Sequence, residues 1–446
     1  MTSTLPLRLD RASRVPWGVQ LSAAIRGMVT EGRLAPGDRL PSSRALAADL
    51  GVARSVAEQA YAQLVAEGWL EGRHGSGTYV AAGRAPRAST PPRPRPGPEG
   101  RRLMRLDAGT PWIDPRHAAA WRRAWREVGQ ATAPRGYDDP RGLPALREAL
   151  AERLARTRGL KVDPADLRVT AGTTDGLRHL LTALRPGPVL VEDPGYRAAV
   201  ETVRATGRAV LDHPATAPVG RHDLDGLAAA YVTPAHQHPL GPPMPGGERI
   251  ALLAAARETG AVVVEDDYDS EFRYDVAPIP ALASLDREHT AYLGTASKSV
   301  APSLRLGWLV PPPALADEVD RHRAITHDAA AWPVQRAFLA MLRDGYVDRV
   351  VRSARKVYAE RSARVTEALG PHLGGPVAGM YATVLLPGDR AVAARRAAAA
   401  AGFDVPLLSD YCRTSPLTGL VVGFGGCSDA ELDTALAALQ RGLRGD

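Results

Sequence analysis

The stretches VVVEDDYDSEFRY, residues 262–274, and AYLGTASKSVAPSLRLGWLV, residues 291–310, decide the fold of this chain. Apolar runs at 261–264 and 306–310 read as buried strands. Between them lie an acidic cluster and one lysine in a loop of small residues. The chain has 446 residues but only three lysines, Lys161, Lys298 and Lys356. Arginine carries nearly all the positive charge. It keeps its proton at any working pH, whereas lysine can become a neutral amine. Lys161 sits in the polar turn RGLKVDP and Lys356 in the arginine-rich helix RSARKVYAERSAR. Lys298 alone follows an apolar strand, among Thr295, Ser297 and Ser299. An isolated loop lysine is ordinarily a solvated surface group; the surroundings of this one argue otherwise.

Outward from that lysine, strands and helices alternate from Leu106 onward. Residues 167–172, 188–196, 229–232, 261–265, 291–293 and 306–310 read as six strands, with helices after 172 and over 250–258. Such alternation predicts an α/β fold with a mostly parallel sheet and ligand-binding loops at the carboxyl ends of its strands. The polar clusters lie at those ends. Gly172-Thr173-Thr174 opens a helix whose free amides suit a phosphate, and Arg305 can add a charge there. Asp266 can keep a pyridine nitrogen protonated, Tyr268 can bind a phenolic oxygen, and Lys298 can form an imine. These are the parts that pyridoxal 5′-phosphate (PLP) needs. Burial would lower the pKa of the lysine and ready it as a nucleophile.

Composition narrows the class. Forty-five per cent of the residues are hydrophobic, enough for large cores in two or three domains. No apolar run is long enough to span a membrane, and the N-terminus lacks the apolar centre of a signal peptide. Cys412 and Cys427 imply neither a disulfide framework nor a metal site, and a reducing cytoplasm is expected. The net charge of +7 is uneven: residues 1–80 carry +2, residues 81–105 carry +6 and the remainder −1. An anionic partner is therefore expected at the front end.

In that front end, residues 17–30 pattern as an amphipathic helix. Pro36-Gly37-Asp38 marks a turn, Ser42 or Ser43 caps a short helix over 44–50, and a second helix runs over 54–67. WLEGRHGSGTYV, residues 69–80, reads as a β-hairpin. Three helices and a hairpin make an α+β winged helix-turn-helix. Residues 81–105, dense in Pro, Gly and Arg, read as an extended basic spacer. Three segments are thus expected: a winged-helix domain over 1–80, a linker over 81–105 and a large domain over 106–446.

The stretch LAPGDRLPSSRALAADLGVARSVAEQAYAQLVAEGWLEGRHGSGTYV, residues 34–80, resembles the winged helix of GntR-type bacterial regulators. The resemblance implies contact with double-stranded promoter DNA through Arg44, Arg54, Ser55 and Gln59, and through Arg73, His74 and Gly75 at the wing. Ala53 departs from the Ser or Thr cap usual in that family. Residues 106–446 resemble the fold-type I PLP-dependent aminotransferases, with a small C-terminal α+β subdomain. By that resemblance Lys298, in TASKSVAPSLRLG, is the Schiff-base lysine. Asp266, next to Asp267 in EDDYDSEFRY, matches the aspartate on the pyridine nitrogen, and Tyr268 the tyrosine on the phenolic oxygen. Thr173, Thr174, Thr295, Ser297 and Arg305 match phosphate binders, and Tyr196 in VEDPGYRAA the aromatic stacked on the ring. Tyr137, in GYDDPRGLPALREAL, resembles the tyrosine reaching the partner subunit's phosphate. His238, in TPAHQHPLG, lies near the place of an asparagine that supports the ring. Where aminotransferases carry a carboxylate-gripping arginine on a late strand, this chain reads GLVVGFGG, residues 419–426. Arg413 is the nearest candidate.

Together the halves resemble the MocR/GabR-type transcriptional regulators. That implies a cytoplasmic, PLP-responsive regulator, a head-to-tail domain-swapped homodimer, sensing PLP, an amino acid or an amine. The alternative is a working aminotransferase with a DNA-binding appendage.

Overall fold

The structure, a computed structural model, describes residues 5–73, 77–81, 103–274 and 279–444. It divides into two compact units, one ending at Glu99 and the other beginning at Gly100.

The first unit contains α1 (Trp17–Thr30), α2 (Ser43–Leu50) and α3 (Arg54–Ala66), then β1 (Leu70–Arg73) paired antiparallel with β2 (Gly77–Val80). Ser42 caps α2, its Oγ accepting the Ala45 amide at 3.2 Å, whereas Ala53 gives α3 no side-chain cap. Gly51 ends α2 at φ +64°, a left-handed conformation that glycine adopts freely, and turns the chain into α3. Leu21, Ile25, Leu46, Leu64 and Leu70 are fully buried together. Each such leucine contributes about 1.5–3 kcal/mol, against about 1 kcal/mol for a cap. The core, not the caps, fixes the helix pair.

The second unit opens with β3 (Met104–Arg105), then α4 (Ala118–Gln130) and α5 (Pro144–Arg158). The alternating region follows: β4 (Arg168–Thr170), α6 (Thr173–Ala183), β5 (Val189–Asp193), α7 (Arg197–Ala205), β6 (Val210–Pro214), α8 (Arg221–Leu224), β7 (Ala229–Val232), α9 (Gly246–Thr259), β8 (Val262–Asp267), β9 (Thr290–Thr295) and β10 (Gly307–Val310). The sheet has seven strands in the order β4-β10-β9-β8-β7-β5-β6; β10 runs antiparallel to both its neighbours and the rest are parallel. The sequence reading missed β6, an edge strand whose residues are half-buried or exposed and so lack an apolar run. Strands β5, β7 and β8 are buried along almost their whole length, as a parallel sheet covered on both faces requires.

Helices α10 (Ala316–Thr326), α11 (Trp332–Arg343) and α12 (Tyr346–Leu369) lead into a small subdomain. There β11 (Tyr381–Leu385) pairs antiparallel with β13 (Gly419–Gly423), beside α13 (Gly388–Ala400), β12 (Phe403–Asp404) and α14 (Asp429–Arg444). Strand β3 pairs parallel with β12, and the Gly423 amide donates to Leu106 O at 2.9 Å. Met104 and Arg105, assigned to the linker from sequence, therefore belong to the second unit. Among the described residues no helix is long and apolar enough to cross a membrane.

Strand alternation sends the two adjacent acids of β8 opposite ways. Asp267 pairs with the Arg158 Nε at 2.5 Å and accepts the Tyr292 hydroxyl at 2.6 Å, with Arg158 only 1% exposed. Removing one member of a buried pair leaves the other charge unmatched, at about 3–5 kcal/mol. Arg158→Met is expected to lower unfolding stability by that amount in a denaturant titration. A loss under 1 kcal/mol would mean the pair does not tie α5 to the sheet.

Candidate functional site

A cavity of about 490 Å³ opens at the carboxyl ends of the central strands. Its walls carry Lys298, Asp266, Tyr268, Thr173, Thr174, Tyr196, His238, Thr295, Ser297 and Arg305. The structure thus brings together ten residues drawn from positions 173 to 305.

Lys298 follows β9 and is half-buried. Its Nζ donates to Gly109 O at 2.7 Å. Burial pushes the amine below the usual lysine range, opposed by Asp107, Asp269 and Asp266. Asp107 in turn accepts the Gly109 amide at 2.8 Å and the Thr110 hydroxyl at 3.0 Å. The segment just after β3 is therefore shaped around the lysine amine.

Asp266, the inward acid of β8, is 3% exposed. Burial pushes its carboxyl up to about 7, and the Tyr231 hydroxyl, which donates to Oδ2, lowers it in part. Oδ1 has no hydrogen-bond partner. A buried carboxylate oxygen without a donor is costly unless a ligand supplies one. A protonated ring nitrogen is such a donor, so this half of the site fits PLP.

The phosphate end also fits. Thr173 and Thr174 open α6, whose first-turn amides lack partners within the helix. Gly172 precedes them at φ +114°, and a Cβ there would lie 3.2 Å from the Arg305 Nη2. Glycine lets the guanidinium approach the helix start. Across from it, the Thr295 hydroxyl donates to Ser297 Oγ at 2.9 Å and accepts the Ser297 amide at 3.1 Å. Cation, hydroxyls and helix terminus converge as anion recognition requires.

Aromatic rings form the remaining wall. The His238 ring meets Tyr196, Tyr268 and Tyr411 edge to face at 5.7, 5.6 and 5.3 Å. Burial, then the nearby Lys298, His236 and Arg197, pushes His238 down to about 3, so the ring is neutral at working pH. The Tyr268 hydroxyl lies 2.7 Å from that of Tyr381 and donates to His236 O at 3.0 Å.

Two assignments made from sequence fall outside this cavity. Arg413 does not line it: its Nε donates to Asp212 at 2.5 Å and its Nη2 to Glu192 O at 2.7 Å. Those bonds tie Nε and Nη2 to β5 and β6, away from the cavity, while Nη1 is buried without a hydrogen-bond partner. Tyr137 is 83% exposed, stacked on His327 at 4.2 Å, and lines no part of its own chain's cavity. On the late strand where aminotransferases carry that arginine, Leu420, Val421 and Val422 are buried in β13. Of the residues expected from the resemblance to contact DNA, Arg44, Arg54, Ser55 and Gln59 are exposed on α2 and α3, with Arg54 paired to Glu58 at 2.8 Å. Arg73 ends β1; its side chain, and His74 and Gly75, lie outside the described residues.

Sequence reasoning missed Tyr231, Asp107, Arg197 and Tyr411. Tyr231 reads as core on an apolar strand, and only the pairing of β7 with β8 reveals its hydroxyl against Asp266. Arg197, exposed at the cavity wall, lies over the Tyr411 ring at 5.3 Å.

Comparison with known proteins agrees with both halves. Residues 18–80 match the bacterial regulatory proteins of the gntR family, and residues 101–439 match aminotransferase class I and II. The HTH-type pyridoxine biosynthesis transcriptional regulator PdxR of Corynebacterium glutamicum is 34% identical over 464 residues, covering 98% of each chain. The probable rhizopine catabolism regulatory protein MocR of Rhizobium meliloti is 30% identical over 480 residues, covering 97% of this chain and 95% of its own. Among solved structures, a Thermus thermophilus aspartate aminotransferase variant superposes with a TM-score of 0.66 at 26% identity, over 76% of this chain and 96% of that one. An archaeal alanine:glyoxylate aminotransferase gives 0.68 at 24% identity, over 77% and 91%, a likeness of fold. With a gntR-family winged helix ahead of a class I and II aminotransferase domain, and relatives of the same arrangement along nearly its whole length, the chain belongs to the MocR-type transcriptional regulators.

Proposed function

We propose that this regulator holds PLP covalently through Lys298 and senses PLP, or an amino compound that competes for it, to control promoter binding. The observation that carries the reading is the pair formed by a depressed lysine amine and a buried aspartate with one unpaired oxygen in a single cavity.

PLP supplies an aldehyde and an electron-withdrawing ring. The residues of the chain do the rest. Lys298 presents an amine that burial biases toward its neutral, nucleophilic form, and Gly109 O orients it. Tyr231 fixes one oxygen of Asp266, leaving the other to hold a proton on the ring nitrogen. His238 and Tyr196 would flank the ring without adding charge, and Tyr268 would donate to the phenolic oxygen on turning its hydroxyl proton away from His236 O. Thr173, Thr174, Thr295, Ser297 and Arg305 take the phosphate. The name of the relative PdxR supports PLP itself as the signal, and the committed Arg413 removes one route to an amino-acid carboxylate. A homodimer completes the proposal, with the exposed Tyr137 reaching the partner's cavity.

Purified protein given PLP should absorb in the visible, and borohydride should fix the cofactor on Lys298; Lys298→Ala should not retain it. A chain that stays colourless with PLP would remove the cofactor from the account. Rapid multiple turnover with amino acids and 2-oxo acids would instead favour an active aminotransferase.

Attachment requires the neutral amine, and the pKa of that amine is lowered. Its rate should therefore rise with pH through a midpoint below about 10.4, the ordinary lysine value. A midpoint at or above that value would contradict the burial argument. Asp266→Asn should weaken PLP binding by about 1.5–3 kcal/mol, roughly 10- to 150-fold; unchanged affinity by titration would exclude the ring-nitrogen role. Light scattering should read two chains per particle, and a monomer that loads PLP fully would take Tyr137 out of the site.

A further inference from the structure

We infer that residues 5–15 form an N-terminal arm that binds the DNA backbone beside the winged helix. This element precedes the gntR-family match, which begins at residue 18. It rests on the DNA binding that the family implies, and not on PLP.

The arm is built to stay in place. Its residues alternate: Leu5, Leu7 and Leu9 are half-buried against the winged-helix core, while Pro6, Arg8 and Asp10 face outward. The Asp10 amide donates to the Gln20 Oε1 at 2.9 Å. Gln20 Nε2 donates back to Asp10 O at 3.1 Å and to Val15 O at 2.8 Å. One side chain of α1 thus holds both ends of the bend. The single acid of the arm, Asp10, is occupied by the Ala12 amide at 2.9 Å.

The outward face carries Arg8, Arg11 and Arg14, all exposed and without an ion-pair partner among the described residues. Arg11 sits at the helix-turn-helix turn: its Nη2 lies 3.3 Å from where a Cβ on Gly51 would be. Gly51 is three residues ahead of Arg54, the first residue of α3.

Charge decides the matter. Residues 16–80 hold six arginines and six acids, a balance of zero, and Arg26, Arg33 and Arg54 are each paired with a glutamate. Residues 5–15 hold three arginines and one aspartate. All the net positive charge of the winged-helix domain therefore resides in the arm. Binding to phosphates needs cations that displace counterions, and a neutral domain offers few. The ligand chemistry is phosphodiester oxygen on duplex DNA, read without regard to base.

Fluorescence anisotropy on the full chain tests this, using a duplex selected by the chain from a random pool and a scrambled duplex, over a series of KCl concentrations. Arg8→Gln, Arg11→Gln and Arg14→Gln combined should make the slope of log K against log salt shallower by about 2–3, and Arg11→Gln alone by about 1. The loss should be equal on both duplexes, with the thermal unfolding midpoint unchanged. The matching lysine substitutions should keep the slope. Identical slopes and affinities in the triple glutamine variant would reduce the arm to a solvated surface. A loss confined to the selected duplex would make it a base reader and overturn the phosphate proposal. A lysine triple that loses the slope would show that charge is not the cause. Failure of the unsubstituted chain to bind either duplex would fall on the regulatory reading itself, and on the arm with it.

Discussion

Successive side chains of a strand leave on opposite faces, and in β8 that constraint falls on two adjacent aspartates. Asp267 goes into the ion pair with Arg158 and the Tyr292 hydroxyl; Asp266 goes into the cavity with one oxygen free. A one-residue slip in the pairing of β8 with β7 and β9 would exchange them, putting the satisfied acid at the ligand and the bare one in the core. The register Val232–Glu265 and Asp266–Leu293 prevents this. So does the burial of Val263 and Val264, which packs the strand on both faces. The chemistry of the site thus depends on a ladder of backbone hydrogen bonds made by residues that never touch a ligand.

The electrostatics of the two units divide the labour. Around Lys298 the protein removes solvent from an amine and sets three carboxylates near it. The amine is left responsive to what enters the cavity. In the winged-helix domain, cations and acids cancel except along residues 5–15. The lysine amine also touches the segment just after β3, which is sewn to the small subdomain through Leu106 and Gly423. In sequence, β3 and that segment follow directly on the basic 81–102 stretch.

Much of this is legible in the sequence alone. Lys298 stands out because arginine has replaced lysine almost everywhere, and Thr173 and Asp266 because each lies at the end of an apolar strand, whereas Tyr196 and His238 are legible only through the resemblance to aminotransferases. The winged helix was legible because Gly51 and the serines punctuate its helices. What stayed hidden depended on contacts distant in sequence. Tyr231 lies 35 residues from Asp266 and looks like core. Arg413 looked free until Asp212 and Glu192 closed on it. Strand β6 was invisible because an edge strand needs no continuous apolar run. Met104 and Arg105 were hidden by the arginines preceding them. The arm escaped because its leucines span too few residues to announce a period.

The central claim is that the state of Lys298 reaches the DNA. The most direct measurement is the affinity of the full chain for a selected duplex, titrated with PLP, in the unsubstituted protein and in Lys298→Ala. Coupling between two sites commonly amounts to about 1–3 kcal/mol, or roughly 5- to 150-fold. The account predicts a shift of that size in the unsubstituted chain, and a variant that binds DNA but ignores PLP. Affinity that does not change at saturating PLP, or a variant that responds as the unsubstituted chain does, would contradict it.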